Sequence, residues 1–140
     1  MRERYTAFLK GLRLRHFSPN EITWYAFQVR KGVKNSLPPE ELFPNIIPTL
    51  WVLDQLREQY GKPVRITSCY RSEPYNVAVG GARWSQHKVN RACDIQVSGM
   101  SPTRVFNALK KMRDGGSFRG GIGKYKTFVH IDTRGNNATW

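Results

Sequence analysis

Gly120-Gly121-Ile122-Gly123-Lys124-Tyr125-Lys126-Thr127-Phe128-Val129-His130-Ile131-Asp132 is the stretch that decides the fold class. Segment 120–123 and the segment from Lys126 to Asp132 read as two strands joined by a tight turn. Too few residues separate them for a crossover helix, so they must run antiparallel. Upstream, Pro63-Val64-Arg65-Ile66-Thr67-Ser68-Cys69-Tyr70 reads as a strand following a Gly/Pro break, and Ala92 to Val97 as another. Helical segments alternate with these strands. The expectation is an α+β fold, with a small, largely antiparallel sheet packed with helices.

The helices announce themselves by caps and periodicity. Ser18 is a plausible N-cap, Pro19 suits a first turn, and Glu21 completes a capping box. Pro38-Pro39-Glu40-Glu41 restarts the pattern after a polar loop. From Ile46 to Tyr60 the apolar residues Ile47, Leu50, Trp51, Leu53, Leu56 and Tyr60 recur at helical spacing and predict a core stripe. Gly61 terminates that helix. A short helix after Arg71 stops at Gly80-Gly81. Ser101-Pro102 opens a helix to about Met112, with Val105, Leu109 and Met112 on one face, and Gly115-Gly116 closes it.

At 140 residues the chain is expected to be a single domain over 1–140, with residues 1–16 an N-terminal extension or helix. Hydrophobic content of 39% and aromatic content of 12% fit a globular protein. No apolar run reaches the ~20 residues of a membrane span. The start Met1-Arg2-Glu3-Arg4-Tyr5 lacks the pattern of a secretory signal. The formal net charge of +13 points to an anionic partner or surface. Nucleic acid, anionic wall polymers and membranes all satisfy it, but no zinc-finger, homeodomain or RNP-like pattern is present. The two cysteines, Cys69 and Cys93, are too few for a cysteine-rich metal knuckle. They read as buried free thiols or as a pair close enough to bridge.

Two of the three histidines sit in a suggestive pattern. His87 lies in the loop before the Ala92–Val97 strand, and Asp94 follows seven positions later near its start. His130 lies in the last strand. Two imidazoles and one carboxylate form a common ligand set for catalytic zinc, leaving one position for water. Such a site activates water and polarises a carbonyl, so amide hydrolysis is the natural reaction class. The spacing alone is also what two structural histidines and an exposed acid would produce, and by itself it favours that plainer reading. Asp132 shares a strand face with His130 and is open to three roles: orienting a ligand, acting as a base, or anchoring the strand. Arg71 is a candidate to hold a substrate carboxylate or oxyanion. It is also one cation among many at a strand end.

Further motifs extend the pattern: Ser68-Cys69-Tyr70-Arg71-Ser72, Tyr75-Asn76, Val79-Gly80-Gly81, Ser85-Gln86-His87, Ala92-Cys93-Asp94-Ile95, Gly121-Ile122-Gly123 and Phe128-Val129-His130-Ile131-Asp132-Thr133-Arg134-Gly135. In this order they resemble the zinc D-Ala-D-Ala carboxypeptidase family, which includes phage endolysin peptidases and shares its fold with the Hedgehog signalling domain. The likeness spans roughly Phe17 to Trp140. It implies zinc held by His87, Asp94 and His130, with Arg71 on the substrate carbonyl or carboxylate. It also implies a peptidoglycan peptidase that is made in the cytoplasm and acts at the bacterial cell wall. Such a protein would be a monomer working on peptidoglycan peptides at an anionic surface, with no specific nucleic-acid partner. Two positions depart from the family. Asn90 stands where many members carry Gly, a substitution a left-handed turn tolerates. Thr127 stands where many carry a catalytic Glu or Asp, which leaves Asp132, or failing it Glu73, as carboxylate base. A non-catalytic zinc module of the Hedgehog-like kind and a charge-driven nucleic-acid binder are the alternative readings.

Overall fold

Alternation along Ala92-Cys93-Asp94-Ile95-Gln96-Val97 fixes which way the chemistry faces. Successive side chains of a strand point to opposite sides. Cys93, Ile95 and Val97 enter the apolar core, and Asp94 is turned to the other side of the sheet.

A computed structural model describes all 140 residues. In chain order the elements are α1 (Arg2–Gly11), α2 (Asn20–Thr23), β1 (Val29–Arg30), β2 (Val33–Lys34), α3 (Ile47–Tyr60), β3 (Val64–Ser68), α4 (Glu73–Ala78), β4 (Ala92–Val97), α5 (Pro102–Asp114), β5 (Gly121–Lys124), β6 (Val129–Asp132) and β7 (Ala138–Thr139). Short 3-10 turns cover Trp24–Phe27, Glu40–Ile46 and Gln86–Val89. The main sheet has the order β3-β4-β6-β5-β7, antiparallel except for the parallel β5–β7 pair. β1 and β2 form a separate hairpin. The fold is α+β with a small, largely antiparallel sheet, and no helix is long and apolar enough to cross a membrane.

The helix caps follow the local chemistry. Ser72 Oγ accepts from Tyr75 N, and Ser101 Oγ accepts from Arg104 N. Gly61 adopts the left-handed conformation (φ 61°) that ends α3. Glu21 reaches back to Ser18 N at 3.1 Å, yet α2 lasts only one turn before tightening into a 3-10 turn.

Leu50, Leu53 and Leu56 of α3 are fully buried and share one core with Ile66, Ile95, Leu109 and Ile131. Truncating one such leucine to alanine costs about 2–5 kcal/mol. The expected core stripe needs correction at Trp51, which is 56% exposed. At roughly 100° per residue, Thr49, Leu50, Val52, Leu53 and Leu56 occupy one arc, and Trp51 falls opposite its centre. Residues 2–11 form a helix that buries Tyr5 and Leu9, with the Tyr5 ring 4.6 Å from that of Phe43. Cys69 and Cys93 are both buried free thiols.

Candidate metal centre

Register brings the three candidate ligands together. β4 and β6 pair so that Asp94 lies directly opposite His130. His87 arrives from the 3-10 turn that leads into β4. Ser85 Oγ caps that turn by accepting from His87 N, and Asn90 ends it in the left-handed region (φ 60°). Asn90 is buried and donates to the Leu42 carbonyl at 3.0 Å, so asparagine here supplies an anchor that glycine could not.

His87, Asp94 and His130 each offer a ligand atom, and these atoms all lie within 4.8 Å of one another. Asp94 Oδ1 is 3.2 Å from His87 Nε2 and 3.2 Å from His130 Nδ1. The outward nitrogen of each ring is already committed. His87 Nδ1 lies 2.7 Å from the Cys69 carbonyl oxygen and can only donate to it. His130 Nε2 lies 2.7 Å from Asp132 Oδ2. In the neutral tautomers those acceptors select, each imidazole turns a lone pair, not an N–H, toward Asp94.

Three electron-rich atoms facing one another in a buried space repel unless a cation or a proton joins them. Burial lowers the His87 pKa, so a proton on that ring is disfavoured. His130, although also buried, is raised above its usual range by hydrogen bonds to Asp132 and Asp94. Asp94, despite its burial, is held well below the ordinary carboxylate range by the imidazoles beside it. Donors of a small tetrahedral divalent ion with bonds of about 2.0–2.1 Å stand roughly 3.3 Å apart. The two 3.2 Å separations match that spacing. The donor set thus fits a metal ion in charge, chemistry and distance.

Asp132 sits behind His130. It is fully buried, and its oxygens accept from His130 Nε2, Gly121 N (2.9 Å), Arg134 Nε (2.9 Å) and Arg134 Nη2 (2.7 Å). These contacts suit orienting a ligand and anchoring the strand, and they leave no oxygen facing the cleft. Burial opposes its charge, but the hydrogen bonds from Arg134 and His130 hold the carboxyl well below its usual range.

The three ligands form the floor of a cleft of about 520 Å³. Arg71 lines it with Nη2 3.3 Å from Asp94 Oδ2 and Nη1 3.3 Å from Asn76 Oδ1. Asp94 is the sole carboxylate of the lining. Glu73 is not part of it; its carboxylate is exposed and pairs with Lys88 Nζ at 2.5 Å. Thr127 also lies outside, in the β5–β6 turn, where its carbonyl accepts from Gln96.

Trp140 is the residue that sequence reasoning missed. The backbone beyond β7 hydrogen-bonds to β5 (Trp140 N to Ile122 O, 3.0 Å), which carries the indole to a centroid distance of 5.0 Å from His130. It seats over Gly123, where an added Cβ would come 2.4 Å from Trp140 Nε1. Gly121 is pressed by Asp132, Arg134 and Trp140 in the same way. The Gly-x-Gly alternation was the available signal: two glycines on one strand face leave room for something bulky.

A family model described as Peptidase M15 matches residues 15–132, most of the chain. No curated protein and no solved structure matches the chain significantly.

Proposed function

Because the chain belongs to the peptidase M15 family, a family of metal-dependent peptidases related to the zinc D-Ala-D-Ala carboxypeptidases, we propose that it is a zinc peptidase cutting peptide bonds of bacterial cell-wall peptidoglycan, as phage-type endolysins do. The observation that carries this reading is the convergence of two imidazole lone pairs and one carboxylate at the floor of an open cleft.

Zinc bound there would polarise a peptide carbonyl and acidify water at neutral pH. The protein's own groups do the rest. The Cys69 carbonyl and Asp132 each hold the outer N–H of one imidazole, fixing tautomer and ring orientation. Arg71 presents its guanidinium beside Asp94, placed to steady developing negative charge or a substrate carboxylate. Arg71, Arg83 and Arg134 make the lining cationic, which suits a stem peptide rich in carboxylates. Both Asp132 oxygens are engaged, Glu73 turns away and Asp94 is the only carboxylate of the lining, which supports a positioning role for Asp132 and proton transfer by way of water or substrate.

Mass spectrometry of peptidoglycan fragments tests the reading. Zinc-loaded protein is expected to release peptide fragments, and a chelator or His87→Ala to stop it. Zinc retention without any cleavage would leave a binding module in place of the hydrolase. Release that persists in His87→Ala would remove metal chemistry altogether.

A further inference from the structure

Five aromatic side chains are exposed on this protein, and three of them, Trp84, Tyr125 and Trp140, line the one cleft that holds the candidate metal ligands. Exposed apolar surface concentrated at a groove marks a binding site. Trp84 is the most exposed, at 78%. The loop that carries it is nevertheless pinned. Gly81 N donates to the Asn76 carbonyl, Asn76 Nδ2 to the Ala82 carbonyl, and Ser85 N to Ala82 O, all at 2.9–3.1 Å. Asn76 itself is buried, and a Cβ at Gly81 would strike its Oδ1 at 2.0 Å. Arg83 Cζ lies 5.0 Å from the Trp84 ring centre and further orients it. Tyr125 stacks on Phe128 at 4.6 Å and accepts from Trp140 Nε1 at 2.9 Å, so these rings are also fixed. A tryptophan carried at large exposure on a pinned loop is a partly preorganised platform.

We propose that Trp84, with Tyr125 and Trp140, binds the glycan strand from which the stem peptide hangs, so that the substrate is polymer-borne peptide and not the free peptide. The proposal rests on the peptidoglycan reading above. A pyranose ring carries its hydroxyls at the rim and C–H groups on its faces. It therefore stacks on an aromatic surface and leaves its polar edge in water, the same amphipathic fit that suits Trp and Tyr to half-wet sites. The stem peptide is covalently attached to the sugar. A cleft that holds the sugar-proximal part of the stem beside His87, Asp94 and His130 brings sugar rings toward its rim. Asp94 is the only carboxylate of the cleft lining, and the Arg83 guanidinium beside Trp84 suits the carboxylates of a stem peptide.

Isothermal titration of the zinc-loaded protein with glycan strands stripped of their peptides decides the matter directly. Wild type and Trp51→Ala, whose indole lies away from the cleft, are expected to bind. Trp84→Ala should bind about fivefold or more weakly, with Trp84→Phe between. Failure of wild type to bind bare strands, or equal binding by Trp84→Ala, overturns the proposal. A second arm compares kcat/KM for a disaccharide-linked stem with that for the free stem. The ratio should fall about fivefold in Trp84→Ala. An equal loss on both substrates would make Trp84 a peptide contact and overturn the platform. Strand binding with neither substrate cleaved would instead sink the peptidase-on-peptidoglycan reading and leave the platform standing.

Discussion

Asp94 and His130 are direct cross-strand partners, and Asp94 Oδ1 lies 3.2 Å from His130 Nδ1, where the neutral imidazole presents a lone pair and only a proton or a cation joins the two. A cation would relieve that opposition, so much of the site's stability should depend on one.

Zinc at a hundred times its dissociation constant stabilises a folded protein by about 2.7 kcal/mol. For a chain of this length that corresponds to roughly 8 °C in Tm. Calorimetry with and without chelator is expected to show this shift, and His87→Ala or Asp94→Ala should abolish it. Equal Tm values in the two buffers would argue against a metal site.

Asp132→Asn separates positioning from catalysis. As the group that fixes His130, Asp132 should lower metal affinity about 10–100-fold when its charge is removed. A base would lower kcat and leave affinity intact. Competition with a chromophoric chelator reads the affinity, and a saturating-zinc assay reads kcat.

Gly123→Ala drives a methyl group into Trp140. Overpacking of this kind costs about 1–3 kcal/mol. The expected result is a lower denaturation midpoint and a red-shifted tryptophan emission. Combined with Trp140→Ala, the two changes should be less than additive, because the second removes the clash created by the first.

Alkaline stability should depend on Tyr5. Burial, aided by the nearby Cys69 thiol, pushes its phenol well above the ordinary 10.0. Below that value the phenol is protonated in both states and the difference is silent. Above it the unfolded chain releases the proton while the folded protein retains it, so stability falls as pH rises beyond about 10. The loss is on the order of 1 kcal/mol per pH unit. Tyr5→Phe keeps the ring against Phe43 and should make that limb less steep, the remaining slope coming from the buried Cys69 and Cys93 thiols, which burial also raises. Tyrosinate absorbance at 295 nm should show one fewer group titrating in the folded mutant's unfolding transition.

Much of the scaffold was legible because its signals are local. Gly61 in the left-handed region, Ser101 as a cap, and the alternation through Cys93, Asp94 and Ile95 each depend on a handful of adjacent residues. The same holds for Asn90, whose short polar side chain fits φ 60°. Ser18, by contrast, was expected to cap α2, and that helix instead starts after Pro19 with no side-chain cap. Trp51 was misjudged because an apolar side chain at a helical interval says nothing about which arc of the helix meets the core.

From the chain alone came the α+β class, the helix ends and the donor types at positions 87, 94 and 130. Tertiary structure alone decided that these donors meet, that Asp132 is spent on His130 and Arg134, that Glu73 turns outward, and that Trp140 roofs His130 over two glycines. The physical reason is range. Caps and periodicities are set within a turn or two of backbone. Which lone pairs face one another depends on the pairing register of strands more than thirty residues apart, where shifting by one residue sends every side chain to the opposite face.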